Sequence, residues 1–195
     1  DTDGDGVLDA EDDCPEVAGP TENNGCPYLG FLINEVLYDP ADGIAGDANK
    51  DGTRDPLQDE FVELFNSNPA LDISGYTLSD ATAVRHVFPA GTIVPQNGVV
   101  VVFGGGTPTG SFGGGLVQTA SAGQLNLNNA GDVLTLKDAL GVTIATFDVT
   151  PLSDNPNESY TRNPDITGEF VQHSSVDAAN GKIYSPGTKI NGSNF

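Results

Sequence analysis

The sequence predicts an all-β sandwich of about seven to nine strands preceded by a small acidic appendage. Three observations predict it. From Pro27 onward the chain is a series of short apolar runs separated by Gly, Pro, Asn and Asp clusters, the pattern of strands and turns rather than of helices. No stretch sustains three turns of helical periodicity, and 25 Gly with 13 Pro would interrupt one repeatedly. Ahead of Pro27 the chain is acidic and almost devoid of apolar residues, so it needs something other than a core to hold its shape.

Taken in order, Phe31–Tyr38 reads as the first strand and Phe61–Asn66 as the second. Gly75–Ser79 and Arg85–Phe88 follow. The turn Pro95-Gln96-Asn97-Gly98 introduces Val99–Phe103, an uninterrupted apolar run. Asp132–Leu136 and Gly141–Phe147, joined by Lys137-Asp138-Ala139-Leu140, complete the series. At 195 residues there is room for one β domain with a real core, plus the appendage.

Two acidic loops carry the chemistry. Asp1, Asp3 and Asp5 are followed by Gly6, and Asp47, Asn49 and Asp51 by Gly52. Oxygen-bearing side chains at positions one, three and five with glycine at six wrap a chain around a hard cation such as Ca²⁺. Without an ion the carboxylates repel one another across a few Å. In the second loop, position twelve, where an EF-hand carries a bidentate acid, is Gln58, and Pro56 prevents a regular helix from following. The expected ligands are therefore Asp47, Asn49, Asp51, the Thr53 carbonyl, Asp55 and one of Asp59 or Glu60, an arrangement that would tether the first two strands. Asp39 and Asp42 either add a ligand or cap the turn.

Charge narrows the partners. Seven Lys+Arg against 28 Asp+Glu give a net charge of -21, which argues against nucleic acid and anionic membranes, since phosphate binding needs clustered cations. No run is long and apolar enough to span a bilayer. Cys14 and Cys26 are the only cysteines. A bridge between them would contribute about 3 kcal/mol and place the chain in an oxidising compartment; two free thiols in a reducing cell are the alternative.

The first segment, Asp1-x-Asp3-x-Asp5-Gly6-x-x-Asp9-x-x-Asp12-x-Cys14-Pro15 with Asn23-Asn24-Gly25-Cys26-Pro27, resembles the thrombospondin type 3 repeat, in the form found in bacterial envelope proteins. The resemblance implies Ca²⁺ held by Asp1, Asp3, Asp5, the Val7 carbonyl and Asp12, with Asp9 reaching it through water. Such repeats come in tandem, so a start on the first ligand reads as a mature or excised fragment. The remainder resembles the lamin tail domain, an immunoglobulin-like β-sandwich of nuclear intermediate-filament proteins and of many secreted bacterial proteins. Ile33-Asn34-Glu35-Val36, Glu60–Asn66, Leu71–Leu78, Phe88–Ile93, Gly98–Phe103, Asn128–Leu136 and Ser159-Tyr160-Thr161-Arg162 carry this likeness. Asp47 to Asp59 departs from the nuclear proteins and looks like the insertion of the secreted forms. The expected division is 1–27 for the repeat and 28–195 for the sandwich.

Other candidates are weaker. Glu35 and Glu63 are placed to face each other on neighbouring strands, where a structural role outweighs glycosidase chemistry. His86 and His173 lack zinc-site spacing. Gly104–Gly106 and Gly113–Gly115 lack the lysine and helix of a phosphate loop and read as a flexible loop. The expectation is a non-catalytic, calcium-stabilised structural or adhesion module, secreted or on a bacterial cell surface, whose partners are calcium and other surface proteins or extracellular polysaccharide. An accessory domain of a secreted hydrolase, or a carbohydrate-binding sandwich, are the alternatives; the absence of Trp counts against the latter.

Overall fold

The computed structural model describes residues 1–195. The chain divides into two compact units, Asp1–Gly30 and Phe31–Phe195. The first has no strand and buries one apolar side chain, Val7. The Cys14–Cys26 disulfide closes it, and it is otherwise held by carboxylates that accept backbone N–H groups.

The second unit is built from strands, with only short 3-10 turns between them. They are β1 (Phe31–Leu37), β2 (Phe61–Asn66), β3 (Leu71–Asp72), β4 (Thr77–Ser79), β5 (Val84–Val87), β6 (Ile93–Val94), β7 (Gly98–Phe103), β8 (Leu116–Thr119), β9 (Val133–Lys137), β10 (Thr143–Asp148), β11 (Tyr160–Asn163) and β12 (Glu169–Gln172). The larger sheet runs β12-β11-β1-β2-β7-β8 and the smaller β10-β9-β4-β5, with β3 and β6 forming a separate pair. All pairings are antiparallel except β7 with β8. The expected strands are present; the additional ones, β3, β6, β8, β11 and β12, span only two to four residues, too short to show a period in sequence.

Alternation along the strands explains the packing. Val62 and Leu64 of β2, with Val100 and Val102 of β7, point toward Leu78, Leu134, Leu136 and Phe147 of the smaller sheet and form the main core. Phe61, Val101 and Phe103 point the other way and pack with Leu37, Ala48, Phe112 and Tyr184 in a second cluster. The larger sheet is thus covered on both faces, which is why Val99–Phe103 is continuously apolar instead of alternating.

Glu35 and Glu63 lie on that second face, directly opposite each other in the β1–β2 register. Both are fully buried beneath the segment that follows Lys182. Two unneutralised carboxylates cannot be buried side by side without hydrogen-bond donors, and the C-terminal segment supplies them.

Candidate ion loop and buried carboxylate network

The Asp47–Asp59 loop lies between β1 and β2. Asp47 Oδ2 accepts the Gly52 N–H at 3.0 Å, Asn49 Oδ1 that of Asp51 at 2.9 Å and Asp51 Oδ1 that of Thr53 at 3.0 Å. This ladder of side-chain oxygens accepting backbone N–H groups folds the loop into a tight bend. Lys50, at position four, adopts a left-handed conformation. Arg54 anchors the far side, donating to the Pro40 and Ala41 carbonyls at 2.5 and 2.9 Å and lying 3.7 Å from Asp42.

One oxygen of this loop is left over. Asp47 is only 9 % exposed, and its Oδ1 is buried with no hydrogen-bond partner. A buried carboxylate oxygen without a donor costs roughly 1–3 kcal/mol or more, so its retention calls for a positive group. Asp59 lies close by: its Oδ1 accepts the Asn49 N–H at 3.0 Å and its Oδ2 that of Asp55 at 2.7 Å. Burial, with Asp47's charge adding, raises the Asp59 carboxyl above its ordinary range. Of the acids in this loop the structure brings Asp47 and Asp59 together, while a cluster of three close carboxylates is formed by Asp1, Asp3 and Asp5.

The alternative acid, Glu60, turns away. Its two oxygens accept the Asn126 and Leu127 N–H groups at 2.7 and 3.2 Å, and burial pushes its carboxyl up to about 8. Asp55 Oδ1 accepts the Leu57 and Gln58 N–H groups, capping the turn at Pro56. Asp39 accepts from Asn129 Nδ2 and the Asn157 N–H and so joins distant loops rather than the ion loop.

The wall of the loop is Gly104–Gly106, which sequence reading assigned to a flexible loop. The structure corrects this. Gly104 N–H donates to the Glu60 carbonyl at 2.7 Å and Gly105 N–H to that of Gln58 at 3.1 Å, extending the β2–β7 ladder. A Cβ on Gly104 would stand 1.8 Å from the Leu57 carbonyl oxygen, and one on Gly106 2.4 Å from Asn49 Nδ2 and 2.6 Å from Asp51 Oδ2. Glycine is required because the backbone abuts the acidic side chains. Asn49 Nδ2 donates to the Gly105 carbonyl and the Thr107 N–H to Asp51 Oδ2.

In the first unit the carboxylate oxygens of Asp1, Asp3 and Asp5 lie within 4.8 Å of one another. Gly4 N–H donates to Asp1, Asp5 N–H to Asp3, and both Val7 and Gly19 N–H to Asp5. Asp3 Oδ2 and Asp12 Oδ2 are buried without partners, and Asp12 is 8 % exposed. Gly25 passes so close that a Cβ would meet the Asp12 carboxylate at 2.2 Å. These oxygens also suit a cation. Asp9 is engaged otherwise: its two oxygens accept the N–H and the hydroxyl of Thr2 at 2.7 and 2.8 Å.

The buried pair on the covered face of the larger sheet anchors a hydrogen-bond network. Glu35 Oε1 accepts from the Ser159 hydroxyl at 2.6 Å and the Ser185 N–H at 2.9 Å; Glu35 Oε2 lies 2.9 Å from Ser185 Oγ. Ser185 Oγ is in turn 2.9 Å from His173 Nε2, and His173 Nδ1 is 2.9 Å from the Lys182 carbonyl. That carbonyl only accepts, so Nδ1 carries a hydrogen. Burial raises the Glu35 carboxyl above its ordinary range. Glu63 accepts from Asn34 Nδ2 at 2.8 Å and the Gly187 N–H at 2.6 Å; burial and the neighbouring Glu35 raise it further. Every Glu35 and Glu63 oxygen has a partner: both Glu35 oxygens and Glu63 Oε2 hold the C-terminal segment, Glu63 Oε1 is held by Asn34 of β1, and the Ser185 hydroxyl is engaged on both sides.

His86 is a packed, neutral residue. The Ser121 N–H donates to its Nδ1 at 3.2 Å, leaving Nε2–H to donate to Gln118 Oε1 at 2.8 Å, and burial lowers its pKa. Its ring meets Phe88 edge-on.

The family model for the Lamin Tail Domain matches residues 30–151. The chain belongs to the lamin tail domain family. The immunoglobulin-like sandwich described above is the fold of that family, which is non-catalytic. Comparison with curated proteins gives no significant match. The matched segment contains the Asp47–Asp59 loop, Gly104–Gly106 and both buried glutamates, whereas Ser159, Ser185 and Gly187, which donate to those glutamates, and His173, which contacts Ser185, lie beyond it.

Proposed function

We propose that this lamin tail domain is a calcium-stabilised structural module that works outside the cell, spacing or attaching a surface protein. The observation that carries it is the buried, unpartnered Asp47 Oδ1 inside a loop where Asp47 Oδ2 and Asn49 Oδ1 already accept backbone N–H groups. Ca²⁺ would be held there by Asp47, Asn49, Asp51, the Thr53 carbonyl and Asp59. In the first unit it would be held by Asp1, Asp3, Asp5, the Val7 carbonyl and Asp12, in keeping with a thrombospondin type 3 repeat.

The ion supplies charge compensation and stiffness rather than chemistry. Hard oxygen donors with no imidazole or thiolate in either loop select Ca²⁺ over transition metals. Millimolar extracellular Ca²⁺ matches sites of this kind, and the Cys14–Cys26 bridge suits an oxidising, secreted or cell-surface setting. The bacterial origin proposed for the chain rests on the same combination of repeat and sandwich. Attachment to other surface proteins or to polysaccharide would follow from rigid presentation of the sandwich.

Calorimetric titration of the whole chain with Ca²⁺ tests the proposal. The expected result is saturable uptake in the millimolar range or tighter, part of which disappears in Asp47→Asn and part in Asp3→Asn. Absence of uptake by the unsubstituted chain would dismiss the calcium reading.

A further inference from the structure

A cavity of about 450 Å³ opens in the second unit beside the ion loop, within the range of small-ligand sites. Its lining is inverted in charge relative to the molecule. Acids outnumber bases 28 to seven in the chain, yet the cavity is lined by Lys50 and Lys182 and by no carboxylate.

Neither lysine is committed to an acid. The three arginines are all occupied: Arg54 and Arg85 by carbonyls and carboxylates, Arg162 by the Ile33 and Gly168 carbonyls and the Phe170 ring. The ion pairs of the molecule involve Arg54, Arg85 and the terminal amine alone. Lys50 instead lies over the Phe112 ring, 5.6 Å from its centroid. The lining also includes Phe112, Tyr184, Ser111 and Thr188, a mixture of apolar ring and hydroxyl surface.

We propose that this cavity binds an acidic sugar, a uronate residue of a glycan, with its carboxylate toward Lys50 and Lys182. Two lysines are point charges suited to a single localised anion. A polyanionic strand is disfavoured, because a chain of net charge -21 repels it everywhere beyond about one Debye length, ~8 Å at physiological ionic strength. Ring hydroxyls find partners in Ser111, Thr188 and the main chain of Gly113 and Gly181, and the sugar's C–H face finds Phe112 and Tyr184. This deepens the attachment role proposed above and rests on it.

The cavity is mechanically joined to the ion loop. Lys50 sits within that loop, its carbonyl accepting from the Thr109 hydroxyl while the Thr109 N–H donates to the Asn49 carbonyl at 3.1 Å. The Tyr184 hydroxyl donates to the carbonyls of Ala45 and Asp47 at 2.8 and 3.3 Å. An ion that orders the loop therefore also positions Lys50 and Tyr184.

The test is NMR titration of the full chain, with and without Ca²⁺, using galacturonic acid and a trisaccharide that carries one galacturonate residue. Galactose, inorganic phosphate and a short peptide with a free C-terminal carboxylate serve as comparators. The expected result is perturbation of the Lys50, Phe112, Lys182 and Tyr184 amides by the uronates alone, with binding about tenfold weaker in Lys50→Gln/Lys182→Gln, the combined loss of two partly exposed charge contacts. Stronger binding in Ca²⁺ than in EDTA is expected as well. Equal response to phosphate, preference for the peptide, or unchanged uronate binding by the double variant each overturn the assignment. A protein that takes up calcium but ignores uronates refutes the cavity proposal alone; one that binds uronates without taking up calcium supports it and refutes the calcium reading.

Discussion

Replacing Asp47 by asparagine separates the two roles of its carboxylate. The amide oxygen still accepts the Gly52 N–H, now donated to Oδ2 at 3.0 Å, while the charge beside Asp59 is removed. In EDTA the variant is expected to match the unsubstituted chain within about 1 kcal/mol, one hydrogen bond being kept and one buried charge deleted. In Ca²⁺ the order changes. An ion at a hundredfold excess over its dissociation constant stabilises the unsubstituted domain by about 2.7 kcal/mol, and the variant forfeits most of this. For a unit of this size each kcal/mol moves Tm by about 2–4 °C, so the two should part by roughly 5–11 °C. Tyrosine fluorescence reports on the right unit: the chain has no Trp, and four of its five tyrosines, Tyr38, Tyr76, Tyr160 and Tyr184, lie in Phe31–Phe195. If Ca²⁺ leaves Tm of the unsubstituted protein unmoved, or raises that of Asp47→Asn equally, Asp47 holds no ion and the reasoning fails.

Other perturbations follow from the same contacts. Gly106→Ala should open the ion loop, because its φ of 74° and the 2.4 Å approach to Asn49 Nδ2 leave no room for a methyl group; weaker Ca²⁺ uptake with a loss of about 1–3 kcal/mol is expected by calorimetry and urea unfolding. Glu35→Ala strips the acceptor from Ser159 and from the Ser185 N–H, at a cost of about 2–5 kcal/mol, and hydrogen exchange should show residues after Lys182 released first. Burial raises Glu35 and Glu63 above the ordinary 4.5, so the stability they contribute is complete below that value and is lost as pH climbs through their folded values; Glu63→Gln should flatten the decline in urea titrations from mildly acidic to alkaline pH. Cys14→Ser/Cys26→Ser should cost the first unit about 3 kcal/mol. With Val7 as its one buried apolar side chain, its amides should then exchange at once while those of β1, β2 and β7 keep their protection.

Much of the candidate site could be read from spacing. Asp47, Asn49 and Asp51 recur every second residue, and a tight turn must bring such side chains to one side. Glu35 and Glu63 were also placed opposite one another, since adjacent strands and their alternation determine which residues meet. The choice between Asp59 and Glu60 was not legible. They are neighbours in a chain where successive side chains point to opposite sides, and only the presence of the Asn126 and Leu127 amides shows which one leaves the loop. Gly104–Gly106 misled for a related reason: a glycine run looks alike whether it is loose or pressed against carboxylates, as here.

By itself the sequence determined the features that depend on near neighbours: the strands, the division of composition near Pro27, and the acidic turns with their glycines. Those follow from backbone stereochemistry and side-chain alternation, which act over a few residues. Only the tertiary structure decided that the larger sheet is covered twice, that Ser159 and Ser185 meet Glu35 across 124 and 150 residues, and that Lys50 and Lys182 share a cavity. It alone decided, too, which carboxylate oxygens remain buried and unpaired. Hydrogen-bond satisfaction is a property of the closed fold, because every donor that reaches a buried oxygen must first be brought there by the packing of distant segments.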